Sequence, residues 1–270
     1  MAAPSAAPAA PRIELDAVAK VYQTAERDVL AIGDVGFRVA DGQFVSIVGP
    51  SGCGKSTVLN MIAGFLGPTK GAVRVDGREV AGSIPDGLGY IFQKDTVLPW
   101  YSVRSNIALG LRFRGADRRE ARRKVDELLR LGRLEGFAEA YPHQLSGGMR
   151  RRLALLMSLA CDPTILLLDE PFGALDTHTK TSLHSELVRL RQALGQTIVM
   201  VTHDLDEAIT LSDRVIVLSG PPSRVLLDEA IDIPHPRDVF TIRESPAFGR
   251  HYGRIWHVLG QEFAKVQADG

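Results

Sequence analysis

The chain is poor in the features that would tie it to a bilayer, to an oxidising compartment or to a polyanion. Only Cys53 and Cys161 are cysteines among 270 residues, too few to staple a chain of this size. Both are read as free thiols in a reducing compartment. No run approaches the roughly 18 consecutive apolar residues that a bilayer crossing needs, so any membrane role is expected to pass through a partner. Neither sign of charge prevails: Lys plus Arg and Asp plus Glu number 32 each, which leaves no global field to recruit nucleic acid. An anion site must therefore be local. Residues 1–11 are almost all Ala and Pro, without the basic start and apolar run of a signal peptide. They are expected to form a disordered tail.

What is present is the composition of a folded globular protein, with 45% hydrophobic and 24% charged residues. Short, β-branched apolar runs at 44–48, 88–92, 165–168, 198–202 and 215–218 predict buried strands. Between them lie helical patterns; Leu183, Leu187, Leu190 and Leu194 share one helix face. Alternating strands and helices predict an α/β fold on a mainly parallel sheet. Val73 and Val75, followed by Asp76-Gly77, predict an antiparallel hairpin over 72–80, part of a small β subdomain. Strands vanish from about 97 to 144. There Val125, Leu128 and Leu129 oppose Arg118, Arg119, Arg122 and Arg123, an amphipathic helix with a solvated basic face in a helical lobe. Beyond Gly220 a Pro-rich stretch leads to a last helix over about 246–266, so 221–270 is expected to be an appendage to a domain spanning 12–220.

Residues 49–57 read Gly49, Pro50, Ser51, Gly52, Cys53, Gly54, Lys55, Ser56, Thr57, between an apolar strand and a helical run. This is a P-loop in the strand, loop, helix context the motif requires. Glycines let backbone N–H groups converge on an anion, and the following helix adds unpaired donors and the positive end of its dipole. The spacing suits a triphosphate: Lys55 reaches the β and γ phosphates, and the Ser56 hydroxyl is placed to ligate Mg²⁺. No activating base accompanies Cys53, which is read as a small spacer.

The run Ile165-Leu166-Leu167-Leu168 ends in Asp169 and Glu170, at the edge where open α/β sheets place ligands. Asp169 is placed to serve the Mg²⁺ shell. Glu170 points elsewhere and is placed to polarise the water that attacks the γ phosphate. By themselves, acidic residues closing a strand are equally compatible with loop solvation.

Leu145, Ser146, Gly147, Gly148 and Met149, just upstream of that strand, resemble the signature loop of ABC ATPases. Ser146, Gly147 and Gly148 open a helix, a second amide-rich anion site. The resemblance runs from Ile13 to nearly the end of the chain. It implies the ABC ATPase fold: a P-loop core with an antiparallel β subdomain and a helical subdomain at about 97–160. It implies ATP and Mg²⁺ as ligands, and a head-to-tail homodimer in which each ATP lies between one P-loop and the partner's signature loop. By the same resemblance Tyr22 stacks on adenine, and Gln93 contacts Mg²⁺ or the attacking water. His203 touches the γ phosphate, while Asp176 meets the other subunit, although an Asp before Thr177 is also a helix cap.

Phe92-Gln93-Lys94-Asp95, Leu98-Pro99-Trp100, the run from Asp169 to Asp176, and Ile233-Pro234-His235-Pro236-Arg237 are similar to the importer group for nitrate, sulfonates and taurine. That implies a cytoplasmic ATPase, peripheral on the inner face of the membrane. Its partners would be transmembrane permease subunits and, indirectly, an extracytoplasmic solute-binding protein. A soluble ABC ATPase acting on ribosomes or nucleic acid is the alternative, but the chain has one cassette and no basic stripe. Two departures concern the signature helix: Arg151 stands where the family usually has Gln, and Met157-Ser158 where it has Arg-Ala.

Overall fold

A computed structural model describes residues 10–23, 27–80, 82–94, 96–173 and 175–268. Most of the expected tail lies outside them, as do Asp95 and Ala174. The described residues form one ten-stranded sheet. Its parallel half contains β3 (Phe44–Val48), β6 (Leu88–Ile91), β7 (Ile165–Asp169), β8 (Thr197–Val201) and β9 (Arg214–Leu218), in the order β9-β3-β8-β7-β6. Burial on both faces explains why these strands read as unbroken apolar runs rather than alternating ones. The other half is β1 (Ile13–Gln23), β2 (Asp28–Val39), β4 (Lys70–Val75) and β5 (Arg78–Glu79), all antiparallel neighbours. The Asp76-Gly77 turn joins β4 to β5, with both residues at positive φ.

Strand β10 (Ser223–Ala230) links the halves, antiparallel to β9 and parallel to β2. Residues 221–270 are therefore not wholly peripheral: the first part lies within the sheet, and only the chain beyond Ala230 lies against it. That later part is fastened by Arg237. Its buried guanidinium donates to the Ser212 carbonyl at 2.7 Å, the Ile209 carbonyl at 3.0 Å and the Ile233 carbonyl at 3.0 Å. These acceptors include the orphan carbonyls ending helix α6 (Leu205–Leu211), a position that favours a cation. Burial lowers the Arg237 pKa to about 10.

Side-chain alternation in the parallel strands divides the core. Ile165, Leu167, Val199 and Val201 pack with Val58 and Leu59 of α1 (Lys55–Ile62). Leu166, Leu168, Ile198 and Met200 pack with the helical lobe. That lobe holds α2 (Val103–Phe113), α3 (Arg118–Leu131) and α4 (Gly147–Leu159), as the loss of strand patterning predicts. Val125, Leu128 and Leu129 are buried, whereas Arg118, Arg119, Arg122 and Arg123 face solvent. In α5 (Thr177–Leu194), Leu183 and Leu187 are buried; the side chains of Leu190 and Leu194 lie outside the described residues. Helix α7 (Pro246–Ala268) buries Phe248, Ile255 and Leu259 against Ile209, Val215 and Val217.

Candidate active site

The loop from Gly49 to Gly54 leaves the end of β3 and opens α1. Gly49 admits no side chain: a Cβ there would stand 2.8 Å from Cys53 Sγ and 2.9 Å from the Leu218 carbonyl. Gly54, just before the helix, has φ +91°, a left-handed conformation that suits glycine. Lys55 is buried, its ammonium held inside the loop by the carbonyls of Gly49 and Pro50 at 2.9 Å each. Cys53 is fully buried, and that burial raises its thiol pKa against the opposing pull of Lys55, as befits a spacer.

The parity of β7 sets the direction of Asp169, its last residue, while Glu170, just past the strand, points elsewhere. Asp169 shares the face of Ile165 and Leu167, on the side of α1, and accepts a 2.9 Å hydrogen bond from Ser56 Oγ. Burial raises the Asp169 pKa, with the Glu170 charge adding to the effect and Ser56 opposing it. Tyr90, which sequence reasoning left as a strand residue, borders the same carboxylate and donates to Asn60 Oδ1 at 3.0 Å. Burial, then the Asp169 charge, raises its pKa. Ser56 and Asp169 are hard oxygen donors of the kind that suit Mg²⁺. Among the described residues no three His, Cys, Asp or Glu side chains converge to hold a metal. Such an ion would complete its coordination from phosphate and water, as Mg²⁺ commonly does.

Glu170 turns into a cleft of about 350 Å³ whose walls include Gln93, His203 and Gly147. Gln93 Nε2 donates to Glu170 Oε2 at 3.0 Å, and His203 Nδ1 lies 3.5 Å from the same oxygen. The structure thus unites three expected residues around one carboxylate oxygen, and it pairs Gln93 with Glu170 rather than with Ser56 and Asp169. Glu170 holds φ +45°, a region that non-glycine residues seldom enter.

The signature loop caps α4 as expected: Ser146 is the N-cap, and its Oγ accepts from the Met149 amide at 3.3 Å. Leu145 is buried in the helical-lobe core, and Met149 packs at its edge. Asp176 caps α5 by accepting from the Thr179 amide at 3.0 Å, and hydrogen bonding from the Thr179 side chain, then from its amide, lowers the Asp176 pKa. A Cβ at Gly148 would meet Thr179 Cγ2 at 2.3 Å, so the signature helix and the start of α5 are in direct contact. Tyr22 is exposed on β1 beside the phosphate loop, its hydroxyl 3.2 Å from Thr57 Oγ1. Of the departures, Arg151 turns inward behind Glu170, and Ser158 donates to the Tyr90 carbonyl at 3.2 Å.

A phosphate loop at the end of one parallel strand, carboxylates ending a strand two places along the sheet and a capped second helix start define a P-loop ATPase with the ABC ATPase fold. A family profile described as ABC transporter matches residues 32–173, and the chain belongs to this family. It is 38% identical over 262 residues to the nitrate import ATP-binding protein NrtD of a Synechocystis species, covering 95% of this chain and 98% of that one. It is 44% identical over 237 residues to the taurine import ATP-binding protein TauB of Rhizobium johnstonii, covering 86% and 90%. A solved ATP-binding cassette, dimeric in a post-hydrolysis state with ADP and Pi, superposes with a TM-score of 0.72. It is 35% identical and covers 82% of this chain and all of that one. The chain is an ABC-type ATPase that binds ATP. Among the described residues no helix is long and apolar enough to cross a membrane.

Proposed function

We propose that the chain is the ATPase subunit of an importer for small solutes of the nitrate, sulfonate or taurine kind. It works as a head-to-tail homodimer beneath a membrane permease, on the cytoplasmic face, with an extracytoplasmic binding protein delivering the solute. The printed names of the nitrate and taurine relatives support the importer reading. The single observation that carries the chemistry is the meeting of Gln93 and His203 on one oxygen of Glu170.

The position of two anion-binding helix starts supports the dimer. Helix α1 packs on one face of β7 and α4 on the other, so one triphosphate is better served by α1 of one subunit and α4 of its partner. A two-fold axis satisfies both sites with a single interface. The dimeric cassette to which this chain is similar supports that arrangement.

Within each site, loop amides and Lys55 bind the β and γ phosphates, and Tyr22 stacks on adenine. Ser56 and Asp169 would hold Mg²⁺. When bound, that ion supplies charge neutralisation on the phosphate oxygens. Glu170 accepts hydrogen bonding from the attacking water, Gln93 orients the carboxylate, and His203 reaches the γ phosphate. Ser146, Gly147 and Gly148 donate to the same γ phosphate across the interface. These contacts exist only in the closed dimer, so ATP binding closes it and hydrolysis reopens it. The exposed Phe92, next to Gln93, and the exposed Trp100, further along the same segment, offer the permease an apolar surface.

Glu170→Gln provides the test. The variant is expected to retain ATP binding, lose turnover by on the order of a thousandfold, and run as a dimer in gel filtration only with ATP. A Glu170→Gln protein that hydrolyses ATP like the wild type would overturn the assignment.

A further inference from the structure

Arg151 lies on α4 two residues beyond the signature loop, is 8% exposed, and directs its guanidinium into the chain. Its Nη1 donates to the carbonyls of Phe92 at 2.8 Å and Gln93 at 3.4 Å. Its Nη2 reaches the carbonyls of Glu170 at 3.2 Å and Asp169 at 3.5 Å, and its Nε donates to the Pro171 carbonyl. One terminal nitrogen therefore serves the loop that carries Gln93, and the rest of the fork serves the turn that carries Glu170. These are the segments whose side chains meet at 3.0 Å.

We infer that Arg151 is a positioning residue that fixes the Gln93–Glu170 pair and ties it to the signature helix. Three features carry this. First, a guanidinium is planar and rigid with five donors, so it sets distances between backbones in a way that a flexible ammonium does not. A glutamine here, with only two donors and an oxygen of its own among the carbonyls, satisfies fewer of them. Second, Glu170 has φ +45°, and a non-glycine residue stays in that region only where its surroundings hold it. Three bonds do so: its amide donates to the Val201 carbonyl at 2.9 Å, and its carbonyl accepts from the Gly173 amide at 3.3 Å and from Arg151 Nη2 at 3.2 Å. Third, Arg151 sits on α4, whose first turn is the signature loop. A shift of α4 on meeting the partner's nucleotide is thereby transmitted to the carboxylate of its own subunit, and the two sites of the dimer are coupled through this side chain.

The inference rests on the reading of Glu170 as the group that polarises water, so it needs a readout besides turnover. Arg151→Met keeps the length and removes every donor. In the full-length chain without nucleotide, hydrogen exchange at the amides of 91–94 and of Asp169, Glu170, Phe172 and Gly173 is expected to quicken by at least about tenfold, with α1 unchanged. In the presence of MgATP, kcat is expected to fall between tenfold and a hundredfold, the range that misplacement of a reacting group produces. KM for ATP stays within about twofold, because Lys55 and its loop are untouched. Arg151→Gln gives the same directions at smaller size and serves if the methionine variant does not fold, and Arg151→Lys recovers part of kcat. Exchange at both segments equal to wild type overturns the strut whether or not the chain hydrolyses ATP. Altered exchange with an unaltered kcat overturns its role in positioning. A wild-type chain without MgATP turnover would count against the function, while the exchange data would still decide the strut.

Discussion

The Ser56 hydroxyl donates to Asp169 Oδ1 at 2.9 Å, joining the first turn of α1 to the last residue of β7 across 113 positions of sequence. This contact brings together the two side chains proposed to hold Mg²⁺. Burial raises the Asp169 pKa, because the carboxylate has lost water without gaining a full cationic partner. On the proposed reading a divalent cation would supply that partner. Asp169→Asn is therefore expected to make the ATP-induced rise in melting temperature insensitive to added Mg²⁺, and to cut turnover by on the order of a hundredfold or more. A variant whose melting shift still follows the Mg²⁺ concentration would remove Asp169 from the metal site.

Lys55 tests the other half. Its ammonium is buried and bonded to two carbonyls of its own loop, so it is already desolvated and aimed where the phosphates arrive. ATP at about a hundred times its dissociation constant stabilises a protein that binds it only when folded by about 2.7 kcal/mol. In a chain of this size that is a shift of several degrees. Lys55→Ala is expected to abolish most of the shift, read by differential scanning fluorimetry with and without MgATP. An undiminished shift would place the nucleotide elsewhere.

The phosphate loop and the strand ending in Asp169 and Glu170 were legible in the sequence because steric demand and full burial each leave a local signature. Gly49 is glycine because Leu218 and Cys53 leave no space for a Cβ, and β7 is apolar from Ile165 to Leu168 because both faces are covered. Strand β10 was not legible. Its pattern of partly buried and exposed residues follows from its place between β9 and β2 rather than from any period of its own. The long antiparallel strands β1 and β2 were equally hidden: bulges between Leu15 and Val21 break the alternation that would have announced β1. Arg151 could be marked only as a departure from family usage. Its partners are carbonyls, which every residue carries, and they come from chain segments 18 to 59 positions away.

Gly148 offers a test of packing between the signature helix and α5. An alanine at a helical position ordinarily favours the helix by about 1 kcal/mol over glycine. Here its Cβ would stand 2.3 Å from Thr179 Cγ2, on a β-branched side chain with little rotamer freedom. Overpacking of this kind costs about 1–3 kcal/mol, so the clash outweighs the propensity. Gly148→Ala is expected to lower the urea midpoint. Thr179→Ser in the same chain removes the offending methyl and should restore most of the loss. If the double variant is no more stable than Gly148→Ala alone, the contact with Thr179 is not the cause.

His184 predicts how the fold responds to acid. It is 2% exposed, stands edge-on to Phe172 at 4.5 Å between ring centroids, and faces Glu207 at 3.8 Å. Burial lowers its pKa from 6.5 to about 4; Asp204 opposes the shift, and Lys180 and Arg243 reinforce it. The unfolded chain therefore binds a proton below 6.5 that the folded chain refuses until about pH 4. The histidine's contribution is complete above 6.5 and is lost as pH falls toward 4. Linkage sets that loss at about 2 kcal/mol by about pH 5. Glu207, whose pKa burial raises, and Lys180 and Asp204 remain in a His184→Phe variant, so comparing the two proteins isolates the histidine. Between about pH 7.5 and pH 5, the wild type is expected to lose about 2 kcal/mol more of its urea-unfolding free energy than the variant. Parallel curves would show that His184 takes up its proton in the folded chain as readily as in the unfolded one.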